Sequence, residues 1–532
     1  MNEAVRTLGN PRIVRGLLVG LAILGLTWET CAWISAGDDH MLILLGLLCA
    51  VLAIMVYILK DWRSGFYLFF GWLLVEDLAR KYLGNNMAIY FAKDALVGVT
   101  YVSCLIAKRR RQFDSFVPPF WLPLTLFFWL ALIQVFNIWA PSLLYGALGM
   151  KLYFYYVPLM FVSYALVRTA NDLRRFLIFS AIFALLISCV GLIQATVNIN
   201  FLNPANLVRD LAALGNLKRW SPVTHQLILV PTGVFVSGGR YGEYLIVAWI
   251  LSVATLAYVL LSHSRGAFYA FLGIGAVSVA VVLSGTRTPI IIVGASALIM
   301  TAGVLWGAPS HWAQGRRLAK AFRYAFLAAG AGLILLVWFS PQTLGANWAF
   351  FSETMSPTGA GSQFEDRIVD YPWSNFEKAF EHPHWLTGYG TGTNSLGVQY
   401  VAEALHAPPL QIGVENGYGT LIVEMGILGP ILWVVWVFAL LFYSWRIVRQ
   451  LRQTVYFPVA FGIFWYAFLL LTVLTYLAIN TYENFVLNAY LWILIGILFR
   501  LPYIAQLPQP VPAEKRGWFA RGAGLAAAST RR

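Results

Sequence analysis

The stretch YGEYLIVAWILSVATLAYVLLS, residues 241–262, decides the class of this protein. After Glu243 it runs through Ser262 without another charge. At about 1.5 Å of rise per residue, such a run spans about 30 Å, the hydrocarbon thickness of a bilayer. Working outward, similar runs stand near 17–35, 41–59, 64–79, 87–106, 118–138, 150–167, 176–197, 267–284, 288–306, 324–340, 419–443, 457–478 and 486–500. The pattern predicts an all-α polytopic membrane protein of about fourteen transmembrane helices. Helices 1–11 fill residues 1–340, a large, partly helical loop covers 341–418, and helices 12–14 occupy 419–500. A disordered basic tail, 501–532, follows.

Composition excludes the soluble classes. Of the 532 residues, 59% are hydrophobic and 11% charged, against roughly 25% charged in a soluble domain. Mean hydropathy is +0.70. The net charge of +14 does not point to nucleic acid, because the basic residues sit in short segments between apolar runs. With the amino terminus in the cytoplasm, 26 of the 37 Lys and Arg fall inside, including KRRR (108–111), RRLAKAFR (316–323) and WRIVRQLR (445–452). Both termini are therefore expected in the cytoplasm, and the basic tail after Pro508 is expected to be drawn to anionic membrane lipids. The first apolar run follows Arg6, Arg12 and Arg15 and reads as an uncleaved span. Cys31, Cys49, Cys104 and Cys189 all lie in apolar runs and are expected as small core residues.

Two outer loops, about 198–240 and 341–418, are long enough to fold, and long loops without a packing duty tend to carry function. In the second, Ser374 and Glu377 suggest a capped helix carrying Trp373, Phe376 and Phe380 on a face against membrane or protein. Polar residues collect where spans meet this surface: Arg240 and Glu243 in SGGRYGEYL, Arg287 in SGTRTP, Arg367 in FEDR and Glu415 in GVENGYGTL. Ionisable groups there are costly unless they pair or serve a site. Arg287 reads either as a snorkelling interfacial arginine or as an anion clamp held in a short turn. Arg240 has the same two readings, with Glu243 one turn on as a structural partner. Arg265 reads as an inside anchor.

Gly388 and Gly390, in GYGTG, lack the strand and helix of a nucleotide loop but offer backbone N–H groups to a phosphate. His406, in ALHAPPL, is either a solvated loop histidine or a general acid or base. Glu415, next to Asn416, is the best candidate base; its alternative duty is to stabilise a helix amino terminus. Glu424, offset from Glu415 by about half a turn, is expected to tie helices together, as are Glu483 and Asn484. His382 and His384 are too few for a zinc site, and no metal or cofactor is expected.

The order of motifs matters more than any one of them. SGTRT, then a span pair, then Arg367, Trp373, Ala379 and HPHWLTGYGTG in a long loop, then ENGYGTLIVEMGILGP, resembles the O-antigen ligase and polymerase superfamily over roughly residues 230–440. The resemblance implies a C-type glycosyltransferase fold in a bacterial inner membrane, with the active site facing the periplasm. It implies a donor oligosaccharide on undecaprenyl diphosphate, a glycan acceptor and no metal. In the ligase branch the position of Glu415 is usually histidine, so the glutamate favours the polymerase branch. The expected activity is an inverting O-antigen or exopolysaccharide polymerase, with Arg287 and Arg240 clamping the diphosphate, Arg367 and Asn416 assisting and Glu415 as base. A flippase and a chain-length regulator would be its protein partners. The alternatives are a ligase moving polymer to a lipid A core or protein, and a lipid-linked glycan flippase. A transporter predicts matched broken spans in two halves, which the sequence does not display.

Overall fold

A computed structural model describes residues 39–83, 87–114, 116–204, 217–262, 266–307, 312–356, 359, 361–395, 397–406, 412–477 and 481–506. The expected first span at 17–35, Cys31, Arg265 and residues 507–532 lie outside these residues, whereas 501–506, expected as the start of a disordered tail, continue the helix that begins at Phe485, with Leu501 and Ile504 buried. The chain divides into two compact units, the smaller ending at Gly71 and resuming over Phe91–Gln112, the larger holding the rest.

In the smaller unit, α1 (Asp39–Lys60) stops at Asp61, whose carboxylate takes the N–H groups of Arg63 and Ser64 and so opens α2 (Trp62–Leu83). The Ser103 hydroxyl, on α3 (Met87–Arg109), donates to the Ile58 carbonyl at 2.8 Å.

The larger unit takes the second half of α2 and then α4 (Trp121–Val135), α5 (Leu143–Phe154), α6 (Leu159–Leu166) and α7 (Ala170–Thr196). Two three-residue strands follow, β1 (Lys218–Trp220) and β2 (Leu227–Leu229), paired antiparallel with Arg219 opposite Ile228. Next come α8 (Gly238–Leu261), α9 (Ala267–Val282), α10 (Arg287–Gly307), α11 (Trp312–Phe339) and α12 (Pro341–Met355). The chain then runs through α13 (Tyr371–Glu381), α14 (Val398–Ala404), α15 (Gly417–Met425), α16 (Leu428–Gln450), α17 (Phe457–Phe468) and α18 (Phe485–Gln506).

The protein is an all-α, membrane-embedded chain. Among the described residues seven helical stretches are long and apolar enough to cross a membrane: Ile89–Arg109, α7, α8, α10, α16, Phe457–Leu474 and α18. The opening stretch of sequence forms α8, which packs against α7, α9, α10, α11 and α17 and is nearly wholly buried. Its companions α17 and α18 are likewise interior, so these three make the centre of the larger unit.

Several expectations change. The run at 150–167 is two helices, separated ahead of Pro158, and the run at 419–443 breaks at Gly426. A Cβ at Gly426 would lie 2.2 Å from the Leu386 carbonyl, and its φ of +70° suits glycine. Cys49 and Cys189 are exposed on their helices, and only Cys104 of the described cysteines is buried. The helix expected at Ser374 starts three residues earlier, so Ser374 bonds the Tyr371 carbonyl instead of capping, and Glu377 accepts from the Trp373 indole. Of its aromatic face, Phe376 packs with Ala379, Val414, Ile422 and Val423, while Trp373 and Phe380 are exposed.

Candidate functional site

The end of α12 organises the site. Ile228 of β2 is buried against Ala346 and Phe350 of α12, which seats the hairpin on that helix. One turn later the Glu353 carboxylate accepts from the Ser221 hydroxyl, from the Val223 N–H at 2.9 Å and from the Thr224 N–H at 3.3 Å. The next residue, Thr354, offers its carbonyl to the Gln363 N–H at 2.9 Å. The Gln363 side chain in turn accepts from Arg287 Nη1 at 2.8 Å, while the Arg287 guanidinium lies 5.4 Å from the Phe350 ring centre. The SGTRTP turn closes against the same hairpin, since Gly285, at φ +63°, leaves no room for a Cβ beside the Leu229 carbonyl.

Three arginines lie close enough on this platform for their charges to bear on one another. The charges of Arg367 and Arg219 bear on Arg287, which Asp366 partly offsets. Arg219, although reached by solvent, is held below the ordinary arginine pKa, by desolvation first and then by the Arg367 charge. Arg367 sits in a π-helical turn, Asp366–Asp370, with its Nε 3.7 Å from the exposed Asp366 carboxylate. Such widened turns often re-aim a side chain at functional sites. Like charges gathered this way repel, and an anion placed among them would relieve that repulsion.

A carboxylate stands across one ring from the arginines. The Arg367 guanidinium lies 5.1 Å from the Tyr371 ring centre, and the Tyr371 hydroxyl donates to Glu415 Oε2. Burial first, and then that bond, hold the Tyr371 phenol above its ordinary pKa, so it stays a donor. The Glu415 side chain is exposed, and among the described residues no donor meets its Oε1. Arg367 is thus linked through the Tyr371 ring to Glu415, and its charge bears on Arg287.

No family model, curated protein or solved structure matches this chain. The site therefore rests on its own geometry.

Other expected residues lie elsewhere. The Nη1 of Arg240 contacts the buried Asp77 at 3.0 and 3.2 Å, and Asp77 also holds Arg80 at 3.1 Å. Glu243, one turn on from Arg240, accepts from Asn484, which ties α8 to the start of α18. Arg240 therefore belongs to a buried ion network, and losing one member of such a network is strongly destabilising. Asn416 is fully committed as the cap of α15: its Oδ1 takes the Gly419 N–H, and its Nδ2 donates to the carbonyls of Pro372 and Tyr476. The buried Glu424 does tie elements together, accepting from the Tyr153 hydroxyl at 3.0 Å and the Asn394 N–H at 3.1 Å. His406 is exposed at the end of α14 with φ +51°, a left-handed backbone unusual for histidine.

The glycine loop is a packing element and not a phosphate cradle. The N–H groups of Gly388, Tyr389, Gly390 and Thr391 donate to the carbonyls of His384, Val423, Glu424 and Gln134. A Cβ on Gly388 would stand 2.6 Å from the Glu424 carbonyl, and one on Gly390 3.0 Å from Ala140. Both have positive φ, so Gly388→Ala and Gly390→Ala should each cost about 1–3 kcal/mol in backbone strain, more with the clash. Thermal unfolding of the purified variants checks this. Unchanged stability with lost anion binding would restore the cradle.

Sequence reading passed over Arg219, Glu353, Tyr371 and the buried Asp77, Arg80 and Lys81. The signals were KRW and LIL flanking a Ser-Pro turn for the hairpin, and four charges in VEDLARK at the end of an apolar run.

The Glu353 clamp also predicts a pH effect. Desolvation pushes the carboxyl up, but hydrogen bonds from Ser221, Thr224 and the Val223 and Thr224 N–H groups outweigh it and bring its pKa down to about 2, from an ordinary 4.5. With the folded value below the unfolded one, the clamp's contribution is complete above about pH 4.5 and is lost as pH falls toward 2. The stability gap between wild type and Glu353→Gln should therefore hold steady from neutral pH to about 5 and close below that. A gap that stays unchanged as pH falls from about 5 toward 2 would contradict the clamp.

Proposed function

We propose that this protein is an inner-membrane polysaccharide polymerase, a glycosyltransferase that moves glycan from an undecaprenyl diphosphate-linked donor to the hydroxyl of a growing glycan. The observation that carries the reading is the juxtaposition of clustered arginines with one exposed carboxylate across Tyr371. The resemblance of SGTRT, HPHWLTGYGTG and ENGYGTLIVEMGILGP to the ligase and polymerase superfamily supports the same reading.

The chemistry follows from the groups present. Arg287 and Arg367 bind the donor diphosphate and stabilise the charge that grows on it as the bond from anomeric carbon to phosphate oxygen breaks. The acceptor hydroxyl oxygen forms its bond to that carbon from the opposite face, and its proton passes to Glu415. Tyr371 orients Glu415 by its hydrogen bond. The lipid diphosphate leaves with the electron pair, and a single displacement inverts the anomeric centre. Arg240 is left out of the clamp, because its guanidinium is engaged by Asp77.

In this reading the chain crosses the membrane fourteen times, with 17–35 as first span, both termini cytoplasmic and the 341–418 loop periplasmic. The asymmetry of 26 inside against 11 outside basic residues supports it. Single cysteines introduced between 341 and 418 should react with an impermeant maleimide in intact spheroplasts. Labelling of that loop only after the membrane is opened would place the arginines on the wrong side and end the proposal.

A further inference from the structure

Arg219 reaches the site on a short hairpin whose every support leads back to the last turn of α12. Three-residue strands are too short to hold a register alone, because an isolated hairpin is at best marginally stable. Here Ile228, directly opposite Arg219, is fully buried against α12. The turn at 221–224 is gathered onto the single carboxylate of Glu353, and the Thr224 hydroxyl reinforces it by bonding Ser221 Oγ at 3.0 Å. Gly361 presses on that turn, with room for a Cβ filled by Pro222 at 2.8 Å. Two residues later Gln363, tied to Thr354, holds Arg287. The end of α12 thus sets Arg219 and Arg287 in one frame, and both feel the charge of Arg367. Fixing a cation against two others has a cost, which Asp366 offsets in part and an anionic ligand would offset further.

We propose that Arg219 is a third arginine of the anion site and that Glu353 is the positioning residue that delivers it, so that the site favours a diphosphate over a single phosphate. This rests on the reading of the arginine platform as the donor diphosphate site. A diphosphate carries a second phosphoryl group, to which a third guanidinium fork can bond bidentately and which a single phosphate does not offer.

The test is binding of inorganic pyrophosphate and inorganic phosphate to the purified full chain in nanodiscs, by calorimetry. Wild type should bind pyrophosphate more tightly than phosphate. Arg219→Ala should weaken pyrophosphate by about 10- to 100-fold with little change for phosphate. Arg219→Lys, which keeps the charge and carries the test if the alanine variant is not monodisperse, should recover only part. Glu353→Gln should weaken pyrophosphate by less, on the order of 3- to 10-fold, and should change nothing further in the Arg219→Ala background. Wild-type pyrophosphate binding by Arg219→Ala, with binding lost in Arg287→Ala, would overturn the third arginine and leave the proposed function standing. Full binding by Arg287→Ala would overturn both. Additive losses in the double variant would remove Glu353 from its positioning role.

Discussion

Glu415→Gln should lower glycan transfer by about 100- to 10,000-fold while leaving the protein folded, the range expected when a general base is lost. Glutamine keeps the shape and still accepts from the Tyr371 hydroxyl through its amide oxygen, so the local structure survives. What disappears is the ability to take the acceptor's proton. The competing duty is electrostatic, because Glu415 directly precedes the Asn416 cap of α15. A carboxylate at a helix amino terminus contributes about 0.3–1 kcal/mol, so if that were its whole role the variant would unfold slightly sooner and work nearly as before. His406→Ala at matched protein level is the companion measurement. His406 lies exposed on a left-handed backbone, its backbone N–H donating to the Glu403 carbonyl, and its loss should leave turnover near normal. A dead His406→Ala beside a working Glu415→Gln would transfer the proton to the histidine and favour a ligase.

Arg287→Lys carries the second large effect, a fall of about 100- to 1,000-fold in polymer formed, at normal expression. Arg287 is held on two sides, by the Gln363 side-chain Oε1 and by the Phe350 ring, so its planar fork is held in place. Lysine preserves the charge and loses the fork, and a compact ammonium cannot bridge two phosphate oxygens in one plane. An arginine that merely anchors a helix end in the headgroup layer would tolerate the exchange, because either cation snorkels. Wild-type activity in Arg287→Lys would therefore reduce Arg287 to an anchor.

The class of the fold was legible because nineteen uncharged residues in a row have few soluble interpretations, and α8 stands where the hydropathy put it. The breaks were not. A window of about that length averages across Pro158 and Gly426, while the chain obeys the missing N–H of one and the close carbonyl contact of the other. Of the site, Arg287, Arg367 and Glu415 were legible from their place at the ends of spans and loops. Arg240 looked identical by that criterion, but its partner Asp77 lies 163 residues away, a separation no local spacing rule can see. Arg219 was hidden for the opposite reason: its strand has three residues and is held by α12, more than a hundred residues further on. Gly388 and Gly390 were misread because a glycine turn that cradles an anion and one that threads between carbonyls share the same letters. Only the acceptors of their N–H groups distinguish them.

The most direct test of the account is to supply purified protein with undecaprenyl diphosphate-linked repeat units and to resolve the lipid-linked products by size and anomeric configuration. The account predicts a ladder of lengthened lipid-linked glycans joined with inversion, with released undecaprenyl diphosphate, and no ladder with Arg287→Lys or Glu415→Gln. Repeat units that stay monomeric while moving from one face of a sealed vesicle to the other would contradict it and make the protein a transporter.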